Sequence, residues 1–293
     1  DASDINIERF GQFIYKYFGR EGSRTLQAVS LASDMGFESI FCREHIDAFR
    51  AVVDTAFTER KHYANMISSL WQNFVAYLGG TAERGFDRGA YTNELYIVTL
   101  AKLLCANILN GAALLSNKAE LARILNGQYF KEKGLVNLVE YDYFGWLNDI
   151  PYIQRILPIA SQIQNDLLAY DFTSVAAEDL FGPLVAQLAD KDRRLLLGQE
   201  YTPQWLAKKI VAHVLSTIPA EEAPNMIDMC CGSGVFIVEA VKQTIQKYGI
   251  TPQTCTDEDL NLLKSCVLGF DIDPLADGML RLRYSTLTLH LAD

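Results

Sequence analysis

Within 293 residues, one run constrains the fold more than any other: Asp228 to Phe236, DMCCGSGVF. A short apolar stretch, Met226 to Met229, enters a turn in which Gly232 and Gly234 flank Ser233, and a long amphipathic segment follows from Val235 to about Tyr248. Glycine at both places lets the backbone turn tightly and approach a ligand with no Cβ in the way. The pattern predicts strand, glycine loop, helix. Downstream, a polar loop with Pro252 and the acidic residues Asp257, Glu258 and Asp259 leads to a second buried strand over Ser265 to Phe270. That strand ends at Asp271, and Pro274 opens a last helix. Two strands joined through a helix predict the β-α-β opening of a doubly wound sheet, which binds ligands at the carboxyl ends of its strands.

The residues after the turn narrow the ligand. A dinucleotide-binding loop needs a third glycine or alanine at position 237, to bring helix and strand close over a pyrophosphate, and Ile237 stands there. A phosphate-cradling loop needs lysine followed by serine or threonine after its last glycine, and Val235, Phe236 and Ile237 follow instead. What remains is a ligand with an adenosine-like diol and little or no phosphate. Asp271 suits that diol, because a carboxylate at a strand end accepts two hydrogen bonds from ribose hydroxyls. Asp273 directly precedes Pro274 and reads as a helix N-cap with proline at the first helical position. Thr202 and Pro203 repeat that grammar ahead of a helix expected to end near Thr217, and a helix N-terminus with free N–H groups suits a carboxylate.

Three segments thus occur in a fixed order: GQEYTP over Gly198 to Pro203, DMCCGSGVF over Asp228 to Phe236, and GFDIDP over Gly269 to Pro274. Together they resemble the cofactor-binding motifs of the S-adenosylmethionine-dependent DNA methyltransferases that modify the exocyclic amine of adenine. The order is that of type I modification subunits and of fused type IIG restriction-modification enzymes. The resemblance covers about Asp171 to Asp293, including the approach DLFGPLVAQL and RRLLLGQEYTP. It implies Tyr201 and Thr202 at the methionine end of the cofactor, and Asp228 orienting the methionyl ammonium directly or through water. It further implies the backbone from Cys230 through Gly232 to Gly234 packed along the cofactor, Asp271 on the ribose and Ile272 against the adenine ring. Phe236 has two readings, ligand wall or helix packing. Met229 and Cys230 stand where the family frequently has Pro-Ala. The family's catalytic motif, Asn or Asp followed by Pro-Pro and an aromatic, is missing, since none of the 8 prolines adjoins another.

The resemblance therefore implies a cofactor-binding piece that does not itself methylate, from a parent enzyme that flips adenine out of the duplex. Double-stranded DNA is the implied partner of that parent, mostly through parts beyond this chain, along with self-association or a specificity or nuclease partner. The alternative is a non-catalytic helical scaffold that binds DNA or subunits and keeps a vestigial cofactor loop.

The fold class that follows is mostly α. A helical domain over Asp1 to Leu195 precedes, over Leu196 to Asp293, the first β-α-β part of a Rossmann-like methyltransferase fold, truncated. Helices are expected over Arg43 to Phe57, His62 to Leu78, Thr92 to Asn110, Ile150 to Tyr170 and Ser174 to Ala189, with no sustained strand alternation among them. Between His62 and Leu78, the residues Met66, Leu70, Phe74 and Leu78 fall at four-residue steps and are expected to form the buried face, with Trp71 and Val75 beside them. Gly111 is expected to stop its helix. Tyr141, Tyr143, Phe144 and Trp146 read as core or interface rather than as a base-stacking platform.

Charge limits the partners. The net charge is −10 and the pI about 5.0, unlike a protein whose main task is gripping a polyanion. From Leu196 onward there are 12 acidic and 7 basic residues, leaving 36 − 12 = 24 and 26 − 7 = 19 before it, so each part carries −5. No apolar run reaches the roughly 18 residues of a membrane helix, so no membrane partner is expected. The 6 cysteines form no C-x-x-C pair and the 4 histidines are isolated, so neither zinc nor a disulfide framework is implied, each histidine reads as a satisfied or solvated helix residue, and a reducing cytoplasm is expected. The start DASDINIERF is neither basic nor apolar and has no initiator Met, which reads as an internal piece of a longer protein. Two parallel strands alone make a poor sheet, so they are expected to bury against the chain's own helices or another copy.

Overall fold

In a computed structural model of the chain, the described residues are 10, 11, 14, 18, 22, 24–77, 86–111, 117–135, 143–175, 180–188, 202–219 and 222–271. The chain is mostly helical with a few short parallel strands, and it divides into two compact units, Asp1–Gly198 and Gln199–Asp293.

The first unit contains β1 (Arg24–Leu26), α1 (Ala28–Met35), α2 (Ile40–Glu59), α3 (Lys61–Tyr77), α4 (Arg88–Asn110), α5 (Lys118–Leu125), α6 (Gln128–Glu132), a 3-10 turn at Gly145–Asn148, α7 (Tyr152–Leu167), β2 (Tyr170–Val175) and α8 (Gly182–Leu188). Its axis is α4, which packs against α2, α5, α7, α8 and β2 and is buried along most of its length from Tyr91 to Ile108. The Asp87 side chain accepts from Gly89 N at its start, and Gly111 at φ 76 ends it, as the sequence predicts. A helix buried on all sides must satisfy its own polar side chains. Asn107 Nδ2 donates to Gln164 Oε1 at 2.8 Å while Gln164 Nε2 returns a bond to Asn107 Oδ1 at 3.0 Å, tying α4 to α7. Lys102 Nζ donates to the Leu125 carbonyl at 3.2 Å. His45 is buried as well, its Nε2 lying 2.7 Å from Asp166 Oδ2. Phe144 and Trp146 belong to the core as expected, Trp146 Nε1 donating to Tyr91 Oη at 3.0 Å; Tyr141 lies outside the described residues.

Two expectations are overturned in this unit. On α3 the expected buried face points outward: Met66 is 37% and Leu70 49% exposed, whereas Ile67 and Val75 are at 1% and 5%. Ile67, Trp71 and Val75 make a second stripe at the same four-residue step, about 100° further round the helix, and tertiary packing selected that one. The Phe74 side chain and Leu78 are not among the described residues, so the correction rests on Met66 and Leu70. Strands also occur where only helix was expected. β1 and β2 pair in parallel, with Arg24 opposite Tyr170 and Thr25 opposite Asp171. Tyr170 and Phe172 are buried while Thr173 is exposed, so YDFTSV does alternate, but one short run beside a distant three-residue partner gives little periodicity to read. Among the described residues, the helices expected over Ile150 to Tyr170 and Ser174 to Ala189 are represented by α7 and α8, with Tyr170, Ser174 and Val175 in β2 instead.

The second unit contains α9 (Gln204–Thr217), β3 (Met226–Asp228), α10 (Val235–Tyr248), α11 (Asp257–Ser265) and β4 (Val267–Gly269). β3 and β4 pair in parallel, in the register Met226 to Val267, Ile227 to Leu268 and Asp228 to Gly269. α10 packs on both strands and α9 packs on α10. Val267 lies against three apolar clusters of described residues, built around Val241 and Leu263, around Val211, Leu215 and Ala240, and around Cys231 and Ile237. The other face of the strand pair is open: Ile227 is 60%, Met229 67%, Leu268 49% and Phe270 49% exposed. α11 takes the acidic end of the expected loop, Asp257 to Asp259, and the first residue of the expected second strand, while the stretch around Pro252 is a turn as expected. Thr256 and Asp259 cap it reciprocally, and Asp257, Glu258 and Asp259 occupy its first turn, where the helix dipole favours acids. Among the described residues no helix is long and apolar enough to cross a membrane.

Candidate functional site

The glycine turn sits at the carboxyl ends of β3 and β4. Asp228 closes β3: its main-chain oxygen accepts from Phe270 N at 2.8 Å, and its Oδ1 accepts from Cys230 N at 3.1 Å, so the strand's last side chain starts the turn. Cys231 N donates to the Phe270 carbonyl at 2.9 Å, carrying the contact between the two chain segments past the strands. Gly232 then adopts φ 53, and its N–H donates to Asp271 Oδ2 at 2.7 Å. Gly234, at φ 86, is the N-cap of α10, and no side chain caps that helix. Positive φ at both positions explains why glycine is needed twice. A Cβ built on Gly232 meets nothing within 4 Å, so the demand there comes from the backbone turn and not from crowding.

Asp228, Cys230, Gly232, Gly234 and Asp271 are thus brought together in one turn across two strand ends. Asp228 Oδ2 is buried with no hydrogen-bond partner among the described residues, an acceptor that can take a donor. Cys230 is exposed while Cys231 beside it is buried. Phe236 packs on the Val211, Leu215 and Ala240 cluster, the helix-packing one of its two readings. Thr202 is half-buried just ahead of α9. It is not the cap that the sequence suggested: Pro203, extended at ψ 137, is the N-cap, and its carbonyl accepts from Leu206 N and Ala207 N. Proline at ψ 137 cannot be a helical first residue, so the boundary moves by one position. Tyr201, Ile272, Asp273 and Pro274 lie outside the described residues. Among the described residues no group of three His, Cys, Asp or Glu side chains is arranged to hold a metal.

Glu239 and Gln243 on α10 carried no motif signal. Their spacing marks a helical pair, but the bond from Gln243 Nε2 to the Lys208 carbonyl on α9, at 3.0 Å, exists only in the folded unit. Comparison with protein families, curated proteins and solved structures gave no match to this chain.

Proposed function

We propose that this chain carries the S-adenosylmethionine-binding segment of a DNA adenine-N6 methyltransferase of the restriction-modification type, preceded by a helical domain. In this reading β3, α10 and β4 are the opening of a Rossmann-like methyltransferase sheet. The observation that carries the reading is the pair of carboxylates at the carboxyl ends of adjacent parallel strands around a glycine turn: Asp271, two residues past β4, held by Gly232 N at 2.7 Å, and Asp228 with a buried Oδ2 that has no partner among the described residues. An ammonium group is a natural donor for such an oxygen, and a ribose diol for a strand-end carboxylate. The residues therefore fit the cofactor: Asp228 for its ammonium, Asp271 for its ribose, the backbone from Cys230 to Gly234 along its length, and Thr202 with Tyr201 at its methionine end. Bound there, the cofactor supplies a methyl group made electrophilic by its sulfonium. This chain has no Pro-Pro pair, so the reading assigns it cofactor binding and leaves methyl transfer to flipped adenine, with DNA and any nuclease or specificity partner, to the parent enzyme.

Calorimetric titration of the chain with S-adenosylmethionine and S-adenosylhomocysteine tests this. Both are expected to bind, Asp271→Ala abolishing the heat and Asp271→Asn, which keeps an acceptor for Gly232 N, weakening it at least about tenfold, or about 1.4 kcal/mol. A folded wild-type chain that binds neither compound refutes the reading in favour of a scaffold with a vestigial loop.

A further inference from the structure

We infer that Gln243 is a positioning residue for this cofactor site, an inference that rests on the reading above. Its Nε2 donates to Glu239 Oε1 at 2.7 Å and, across the helix interface, to the Lys208 carbonyl of α9 at 3.0 Å. A primary amide has two N–H bonds, and both are used; turned round, it would set its oxygen against two others. Glu239 is 6% exposed, so a buried carboxylate holds the amide in this orientation.

A second contact fixes the direction of the helices. Tyr248 Oη donates to the Glu222 carbonyl at 3.3 Å, so the end of α10 lies beside the chain that has just left α9. Lys208, early in α9, is level with the Glu239 to Gln243 turn, and Glu222, beyond the end of α9, is level with Tyr248. The two helices therefore run the same way. At about 1.5 Å per residue, the step back from Lys208 to Gln204 is about 6 Å, and that to Val235 is about 6 Å from Glu239 or about 12 Å from Gln243. Thr202 and Pro203 thus enter α9 within about one helical turn of the height of the glycine turn. The apolar contact of Val211 and Leu215 with Ala240 is non-directional and tolerates sliding of one helix along the other; the directional bond from Gln243 sets the height.

The test compares S-adenosylmethionine with 5′-methylthioadenosine, which keeps base and sugar but lacks the amino-acid end. Gln243→Met removes both donors at similar volume, and Gln243→Lys restores a donor between the same two oxygens. Gln243→Met is expected to weaken S-adenosylmethionine binding about 5- to 10-fold and to leave methylthioadenosine unchanged, with Gln243→Lys recovering most of the loss. Gln243→Ala, with the same donors removed and a smaller side chain, gives the same split. Unchanged affinity for S-adenosylmethionine, or equal weakening of both compounds, overturns the positioning role and leaves the cofactor reading intact. A folded wild-type chain that binds neither overturns both.

Discussion

The reciprocal amide pair between α4 and α7 makes a quantitative prediction. Asn107 and Gln164 are each 1% exposed and exchange bonds of 2.8 and 3.0 Å. Asn107→Leu takes from Gln164 both of those bonds, so that one donor and one acceptor of the buried amide lose the partner that Asn107 supplied. Each stranded buried group costs about 1–3 kcal/mol, and the added apolar volume offsets part, so the substitution is expected to cost about 2–4 kcal/mol. Gln164→Met strands Asn107 in the same way and costs a similar amount. With both in place, an apolar pair of similar shape replaces the amide pair, so the double variant is expected to cost less than either single and to be at least about 2–4 kcal/mol more stable than the sum of the singles predicts. Urea unfolding followed by tryptophan fluorescence measures this, in a Trp205→Phe background that leaves Trp71 and Trp146, both in the first unit, as reporters. Additivity within about 0.5 kcal/mol refutes the reasoning, because it means that the two amides do not act as one satisfied unit.

Three further outcomes follow from single positions. At Gly232, φ 53 with open space around the missing Cβ predicts that Gly232→Ala costs about 1–2 kcal/mol and Gly232→Asn less, since asparagine tolerates this conformation; equal costs in thermal unfolding contradict the backbone explanation. Thr256→Ala removes the reciprocal cap of α11 and is expected to destabilise the second unit by about 1 kcal/mol, with amide exchange rising first near Asp257; unchanged exchange there tells against the cap. Burial pushes the Cys42 thiol from 9.0 up to about 12, the hydrogen bond with Tyr96 pulling the other way. Because the folded value is the higher one, this stability is complete below pH 9 and is lost as the pH rises toward 12, by up to about 1.4 kcal/mol per unit. Under reducing conditions Cys42→Ala should flatten the decline of stability in that window, and an unaltered slope contradicts the assignment.

Local chemistry made part of the second unit legible. The turn from Asp228 to Gly234 needs glycine for positive φ, and α10 spans Val235–Tyr248 as its periodicity predicts. The Thr256 to Asp259 cap is equally local, since Thr-x-x-Asp ahead of Leu260, Leu262 and Leu263 is a helix-start signal, but it directly follows the polar stretch around Pro252 and shares its loop-like composition. Phe236 was undecidable from sequence because an aromatic two residues into a helix suits either side; packing against Val211 and Leu215 belongs to α9, which the local run does not contain.

What the sequence by itself determined is what short-range physics sets: helices ended by Gly111 and Gly249, the glycine turn, and a carboxylate at the end of each paired strand. What only the tertiary structure decided depends on partners far along the chain. The choice of Ile67, Trp71 and Val75 over Met66 and Leu70 required the neighbouring elements, because both stripes have the same helical period. The pairing of Arg24–Leu26 with Tyr170–Val175 joins segments far apart along the chain, and three residues carry too little pattern to announce a strand. Likewise the burial of His45 beside Asp166 and the exchange between Asn107 and Gln164 appear only when α2 and α4 meet α7, because a buried polar group is tolerable only where the fold brings its partner.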